Sequence, residues 1–117
     1  MPATLRRLAG IGAGLCCVLV AVLSLLPADE MRRTGAGGHL EHLAAYAATA
    51  CLCRLATCRM RTTTLALCLC GYAGVLELLQ QLAPGRSSKV EDFAFSAAGV
   101  AIGLVVAAVA QRRLGPG

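Results

Sequence analysis

The chain has 117 residues, of which 57% are hydrophobic and only 15% charged, and its mean hydropathy is +0.70. Soluble domains carry about 25% charged residues. A chain this short buries only about two thirds of its surface, so it needs a polar exterior that this composition cannot supply. A soluble globular domain is thereby excluded. The net charge of +5, from 11 basic and 6 acidic residues, raises the question of nucleic acid. Here the basic residues form short groups at the ends of apolar stretches, and aromatic residues make up 3% of the chain. A nucleic-acid surface needs stacking rings or a contiguous basic stripe. Neither is present, so no nucleic-acid partner is expected and charge beside a bilayer is the better account.

Four apolar stretches follow in chain order. The first, Leu8 to Leu26, holds nothing more polar than Cys16, Cys17 and Ser24. Its 19 residues are about enough to cross a hydrocarbon core as a helix. Its apolar part is long for a cleaved signal sequence and no small-residue cleavage box follows it, so it is expected to remain as a helix. The second, over 39–56, is weaker and carries Glu41 and His42 in its first turn. The third covers 65–83 and is interrupted by Glu77, Gln80 and Gln81. The fourth, 93–110, is almost wholly Ala, Val, Gly, Leu and Ile.

Pro27, the TGAGG run at Thr34 to Gly38, the RLATCRMRT linker and Pro84-Gly85 separate these stretches, and a Gly-Pro-Gly tail ends the chain. The connections are short, which predicts antiparallel neighbours. The expected architecture is all-α: one domain over 1–117, four transmembrane helices in a compact antiparallel bundle.

Charge then selects an orientation. With the N-terminus in the cytoplasm, Arg6, Arg7, Arg54, Arg59, Arg61, Arg112 and Arg113 all fall inside and no acidic residue joins them. The outer segments hold Arg32, Arg33, Arg86 and Lys89 beside Asp29, Glu30, Glu41, Glu91 and Asp92. Seven basic residues inside against four outside satisfy the positive-inside rule and predict an N-in, C-in multi-pass protein.

Ionisable groups within membrane helices are costly and mark candidate sites. Glu77 and Gln80, three apart, share one face near the outer end of the third helix, as do His42 and Tyr46, four apart, on the second. Arg86 follows the third helix, and Asp92 opens the fourth at its positive dipole end. His42, Tyr46, Glu77, Gln80, Arg86 and Asp92 thus converge at the outer ends of three helices. Two readings stay open. One is a pocket that binds a head group or handles a proton; the other is a polar network that holds the helices together. Arg86 offers a bidentate fork for phosphate and His42 a proton carrier near neutral pH. No covalent nucleophile stands out, so the catalytic residues are unknown.

Seven cysteines avoid both outer segments, are odd in number and form no CxxC, which argues against a disulfide framework. Cysteines two apart, as in the CLC runs at 51–53 and 68–70, lie about 200° apart on a helix and make a poor metal site. Small packing residues are the expected role, with no metal or cofactor, and palmitoylation or metal binding stays open for Cys58 alone, beside the basic linker. Gly10 with Gly14, and Gly99 with Gly103, have spacing that permits close helix contact. That contact is either internal or part of a homo- or hetero-oligomer.

The outer-end residues also carry a resemblance. SLLP at Ser24 to Pro27, HLEHLAAY from His39, GYAGVLELLQQLAPGR from Gly71 and EDFAFSAAGVAIG from Glu91 resemble the VanZ-like family of small membrane proteins. The match runs from about Leu15 to Val105. His42 with Tyr46, Glu77 with Gln80, and Pro84-Gly85-Arg86 with Asp92 fall on its motifs. Two positions depart from its pattern: Gly38-His39 stand where many members have Asp-Lys, and Ser96 where many have Asn. Those changes remove a charge pair and an amide from the expected pocket.

The resemblance implies a bacterial cytoplasmic-membrane protein acting near envelope lipids or lipid-linked cell-wall precursors. The family's named member is associated with low-level teicoplanin resistance. The expected function is recognition of an anionic lipid head group or envelope precursor at the outer leaflet. The alternatives are an enzyme acting on a lipid-linked phosphate and a structural partner of another membrane protein.

Overall fold

A computed structural model of the protein describes residues 2–25, 38–57, 59–80 and 90–114, with side chains at 2–22, 42–57, 59–79 and 93–113. Four α-helices make up these residues: α1 (Ala3–Leu25), α2 (Gly38–Ala56), α3 (Thr62–Gln80) and α4 (Val90–Leu114). The described residues contain no strand. The all-α expectation holds, and each helix coincides with one apolar stretch. Several predicted features lie outside the described residues: Pro27, residues 34–37, Cys58, Pro84-Gly85 and the three C-terminal residues.

Helix α1 begins at Ala3, well before its apolar run, because arginines extend a helix as readily as leucine does. In the same way, α4 continues through Arg112 and Arg113, whose positive charge suits the negative end of its dipole. The hydropathy pattern alone marked the apolar middle of each helix and missed these charged ends.

Between α2 and α3 the chain closes a short hydrogen-bonded turn. Thr57 donates its amide (2.9 Å) and its hydroxyl (2.6 Å) to the Cys53 carbonyl, one of the orphan acceptors at the end of α2. The Arg54 guanidinium then donates to the carbonyls of Thr57 and Met60, both at 3.1 Å. The Arg61 carbonyl accepts the Leu65 amide at 3.0 Å and starts α3. One arginine thus pins the turn by bonding across it.

Small residues decide how the helices pack. Among the described residues, α2 packs most extensively against α4 and next against α1, whereas α1 and α4 are not in contact. Gly99 and Gly103 of α4 lie directly on the α2 backbone. A Cβ built at Gly99 would collide with the Leu43 carbonyl oxygen, and one at Gly103 with the Ala47 carbonyl oxygen. At Gly103 it would also stand 2.9 Å from the Ala50 Cβ. The two contacts advance together, 43 with 99 and 47 with 103, so α2 and α4 run parallel.

By contrast, α1 meets α2 in reverse order, with Gly10 against Ala56 and Gly12 against Leu52, so these consecutive helices are antiparallel. The tightest pairing is therefore between parallel helices that are not consecutive, a point that short connections do not reveal. Gly14 has nothing within 4 Å of where its Cβ would stand. Of the two predicted glycine pairs, the α4 pair makes a close internal contact and the α1 pair does not.

Burial divides the helices into two kinds. Among the described side chains, fifteen large apolar ones are exposed on α1, α3 and α4, with Leu15 at 66% and Leu67 at 69%. Burying one such side chain is worth about 1.5–3 kcal/mol, while total stability is typically only about 5–15 kcal/mol. This surface does not suit water. Helix α2 has the opposite character: of its described side chains only Ala44 and Ala48 are exposed. It is wrapped by its neighbours, and Tyr46 and Ala50 enter a core with Leu65, Leu69, Ala73, Leu76, Val100 and Leu104. Among the described residues, three helices are long and apolar enough to cross a membrane, over Ala3–Val22, Thr62–Leu79 and Phe93–Arg113.

Replacing Gly99 or Gly103 with alanine forces a methyl group against backbone, and overpacking of that kind costs about 1–3 kcal/mol. Thermal unfolding in detergent should show a lowered midpoint for Gly99→Ala and for Gly103→Ala. Gly14→Ala, where space is open, should not lower the midpoint.

Candidate functional site

Helix α2 presents a polar stripe to the interior. His42, Tyr46 and Thr49 are spaced by four and three residues, so a 3.6-residue repeat stacks them on one face. Tyr46 is 3% exposed and Thr49 1%. Thr49 satisfies its hydroxyl locally by donating to the Ala45 carbonyl at 2.8 Å, the usual i−4 back-bond of a buried helical threonine.

The first member of the stripe meets α3. His42 Nε2 lies 3.5 Å from Glu77 Oε1, and the two side chains are 14% and 11% exposed. When the imidazole carries both protons this is an ion pair between two helices. Glu77 lies in the last turn of α3 and His42 in the second turn of α2, so the pair closes the end opposite the Arg54 turn. Both residues take part in further interactions, so the pair belongs to a larger network. Tyr46 sits one turn deeper, with Glu77 and Tyr72 as electrostatic neighbours. These groups sit among apolar side chains, in surroundings of low dielectric where charge and hydrogen bonding act strongly.

Helix α4 adds Ser96, 1% exposed, at the same end. It lies three residues before Gly99 and seven before Gly103, on the face laid against α2. Extending the register of that contact by one turn brings Ser96 opposite the start of α2. Ser96 has its own interaction partner. It departs from the family pattern at this position, and its burial was not read from the sequence. The available signal was its spacing from the two glycines.

A second polar link joins α3 to α1, where the Tyr72 hydroxyl donates to the Cys17 carbonyl. It too went unread in the sequence, since nothing in the spacing reveals which helix carbonyl a tyrosine will reach. The described cysteines are all free thiols, and Cys68 faces outward while Cys70 is half-buried. That is the opposite-face placement expected of a CLC run.

Of the six predicted site residues, His42, Tyr46 and Glu77 are brought together. The side chains of Gln80 and Asp92, and the whole of Arg86, lie outside the described residues. Phe93 of α4 lies 3.6 Å from where a Gly74 Cβ would stand, so the start of α4 meets the later part of α3. The backbones that carry Gln80 and Asp92 therefore lead to the same end as the His42–Glu77 pair.

Comparison with known families gives a consistent result. The family model described as VanZ/LLP1 matches residues 10–111 of the 117. The chain belongs to the VanZ-like family, and with its apolar helices this makes it a membrane protein. No curated protein and no solved structure gave a match.

Interhelical polar contacts within membranes contribute about 0.6–1.7 kcal/mol. A double-mutant cycle of His42→Ala and Glu77→Ala, followed by unfolding in detergent, should return a coupling in that range. Removing both partners should cost less than the sum of the single losses. Tyr72→Phe should lower stability by about 1 kcal/mol and loosen α1 from α3.

Proposed function

We propose that this protein recognises an anionic head group, of a membrane lipid or an envelope precursor, at the outer leaflet of the bacterial cytoplasmic membrane. The observation that carries this reading is the His42–Glu77 pair, held at one end of the helices beneath an apolar exterior. Ionisable side chains in such a place are costly to retain. An imidazole proton beside Glu77 gives a donor for an incoming oxygen, and Tyr46 adds a phenol one turn below. Arg86 follows α3 in sequence and supplies the bidentate phosphate fork. Asp92 and Gln80 complete the proposed pocket by balancing that charge and adding an amide.

The reading requires four membrane spans with both termini inside. Helix α2 is too polar to resemble a membrane span on its own. His42 meets Glu77 of α3, however, and Tyr46 has neighbours on α3 and α1. The large exposed apolar side chains among the described helical residues belong to the other three helices. A helix wrapped in this way can cross a bilayer without exposing its charges, because polar groups inside membranes face protein. Seven basic residues inside against four outside support that orientation.

A second reading is favoured by the same pair. An imidazole within 3.5 Å of a carboxylate is the arrangement of a general acid–base couple. On this reading the protein acts on a lipid-linked phosphate, with His42 moving the proton, Glu77 orienting the imidazole and Arg86 holding the phosphate.

Lipid co-purification read by native mass spectrometry tests the first reading. Arg86→Ala and Glu77→Gln should each insert normally and lose the bound anionic lipid. Retention of that lipid in both variants would rule the reading out. If phosphate is instead released from a lipid-linked substrate by the wild type and not by His42→Gln, the enzyme reading replaces it. Orientation is checked with a membrane-impermeant maleimide in a cysteine-free background. Ser88→Cys should label from outside intact cells, and Met60→Cys only after permeabilisation.

A further inference from the structure

The end of the helices opposite the His42–Glu77 pair has a different chemistry. Arg7, Arg59, Arg61, Arg112 and Arg113 are all exposed there, on the first turns of α1, the α2–α3 turn and the last turn of α4. The helix contacts bring these three elements to one level. Gly10 of α1 packs on Ala56 at the end of α2, one turn from Arg7. The register that pairs 103 with 47 extends to set Arg112 and Arg113 opposite Ala56 and Thr57. No acidic residue occurs in any of these segments.

Two features show what chemistry this surface fits. Every basic residue at this end is arginine, and the single lysine of the chain, Lys89, belongs to the other end. Arginine is the weakly hydrated, planar fork that grips phosphate through two parallel hydrogen bonds, whereas lysine acts as a point charge. The turn that carries Arg59 and Arg61 is also built in advance. Arg54 uses its own guanidinium to hold the Thr57 and Met60 carbonyls, while the side chains of Arg59 and Arg61 are exposed.

The turn's exposed Met60, and the exposed Leu5, Leu8 and Val109 of the flanking helices, border the arginines with apolar surface. Charge laid along the edge of an apolar belt lies at the depth of lipid head groups. Its spread over three elements matches a lattice of head groups better than one soluble anion.

We propose that this arginine end is a docking surface for the anionic phosphodiester head groups of the adjacent leaflet. It would hold a ring of phosphatidylglycerol-type lipids around the helix ends, independently of any ligand at the His42–Glu77 end. Juxtamembrane basic clusters attract anionic lipid in this way.

The test reconstitutes the full chain into nanodiscs of phosphatidylcholine with rising phosphatidylglycerol, then counts the lipids retained after mild extraction by native mass spectrometry. Nanodiscs expose both leaflets, so a change of membrane orientation does not affect the result. The wild type should retain phosphatidylglycerol over phosphatidylcholine. Replacing Arg59, Arg61, Arg112 and Arg113 together with glutamine should reduce that preference about tenfold or more. Replacing the same four with lysine preserves the charge and should keep less than half of the preference.

Glu77→Gln should lose only the lipid held at the other end, and the four-glutamine variant should keep that one while losing the rest, which separates this surface from the head-group site. An unchanged preference in the glutamine variant overturns the proposal, and full retention by lysine overturns the phosphate fork. Inorganic phosphate that displaces the lipid better than chloride at equal ionic strength identifies a soluble anion as the ligand, and also overturns it.

Discussion

The arrangement depends on the contact of two glycines with a neighbouring backbone. Gly99 and Gly103 have no side chain, and the carbonyls of Leu43 and Ala47 occupy the space where one would be. In lipid no hydrophobic force draws helices together, so close backbone approach and dense van der Waals contact must supply the attraction. That contact places α2 against α4 and allows α1 and α3 to cover what remains of it. Without it, the helix that carries His42, Tyr46 and Thr49 would lose its most extensive contact.

The protein is accordingly sorted in two directions. Across its thickness, apolar side chains cover α1, α3 and α4 while the polar stripe of α2 lies inside. Along its length, among the described side chains, five exposed arginines gather at one end and Glu77 stands at the other. The radial sorting hides the cost of ionisable groups, and the axial sorting provides two ends of different chemistry. One end holds a buried imidazole–carboxylate pair. The other presents exposed guanidinium groups on a turn fixed by Arg54. A ligand at the first must enter between helices, whereas a ligand at the second need only lie against them.

Several parts of this were legible in the residues. Three helices follow from apolar runs of membrane length and α2 from a weaker one, and the VanZ-like family from short motifs around His42, Glu77 and Arg86. His42 and Glu77 were identified as site residues because a charge in an apolar run is conspicuous wherever it points. Ser96 and Tyr72 were not. A small hydroxyl or a phenol is unremarkable in a membrane helix until its burial and its partner are known. Thr49 also went unread, although its spacing from His42 and Tyr46 places it on the same stripe.

By itself the sequence determined the helical class, the membrane environment, the separation of charge between the ends and the family. These depend on composition and local periodicity, which each stretch carries within itself. Only the tertiary structure decided that α2 is the shielded helix and that its closest partner is the parallel, non-consecutive α4. It also decided that the α4 glycine pair is used within the chain while Gly14 is left open, and that His42 meets Glu77 across two helices. Those outcomes depend on which faces meet and in what register. Faces with the same small-residue spacing look alike along the chain and differ only once a neighbouring backbone fills the space.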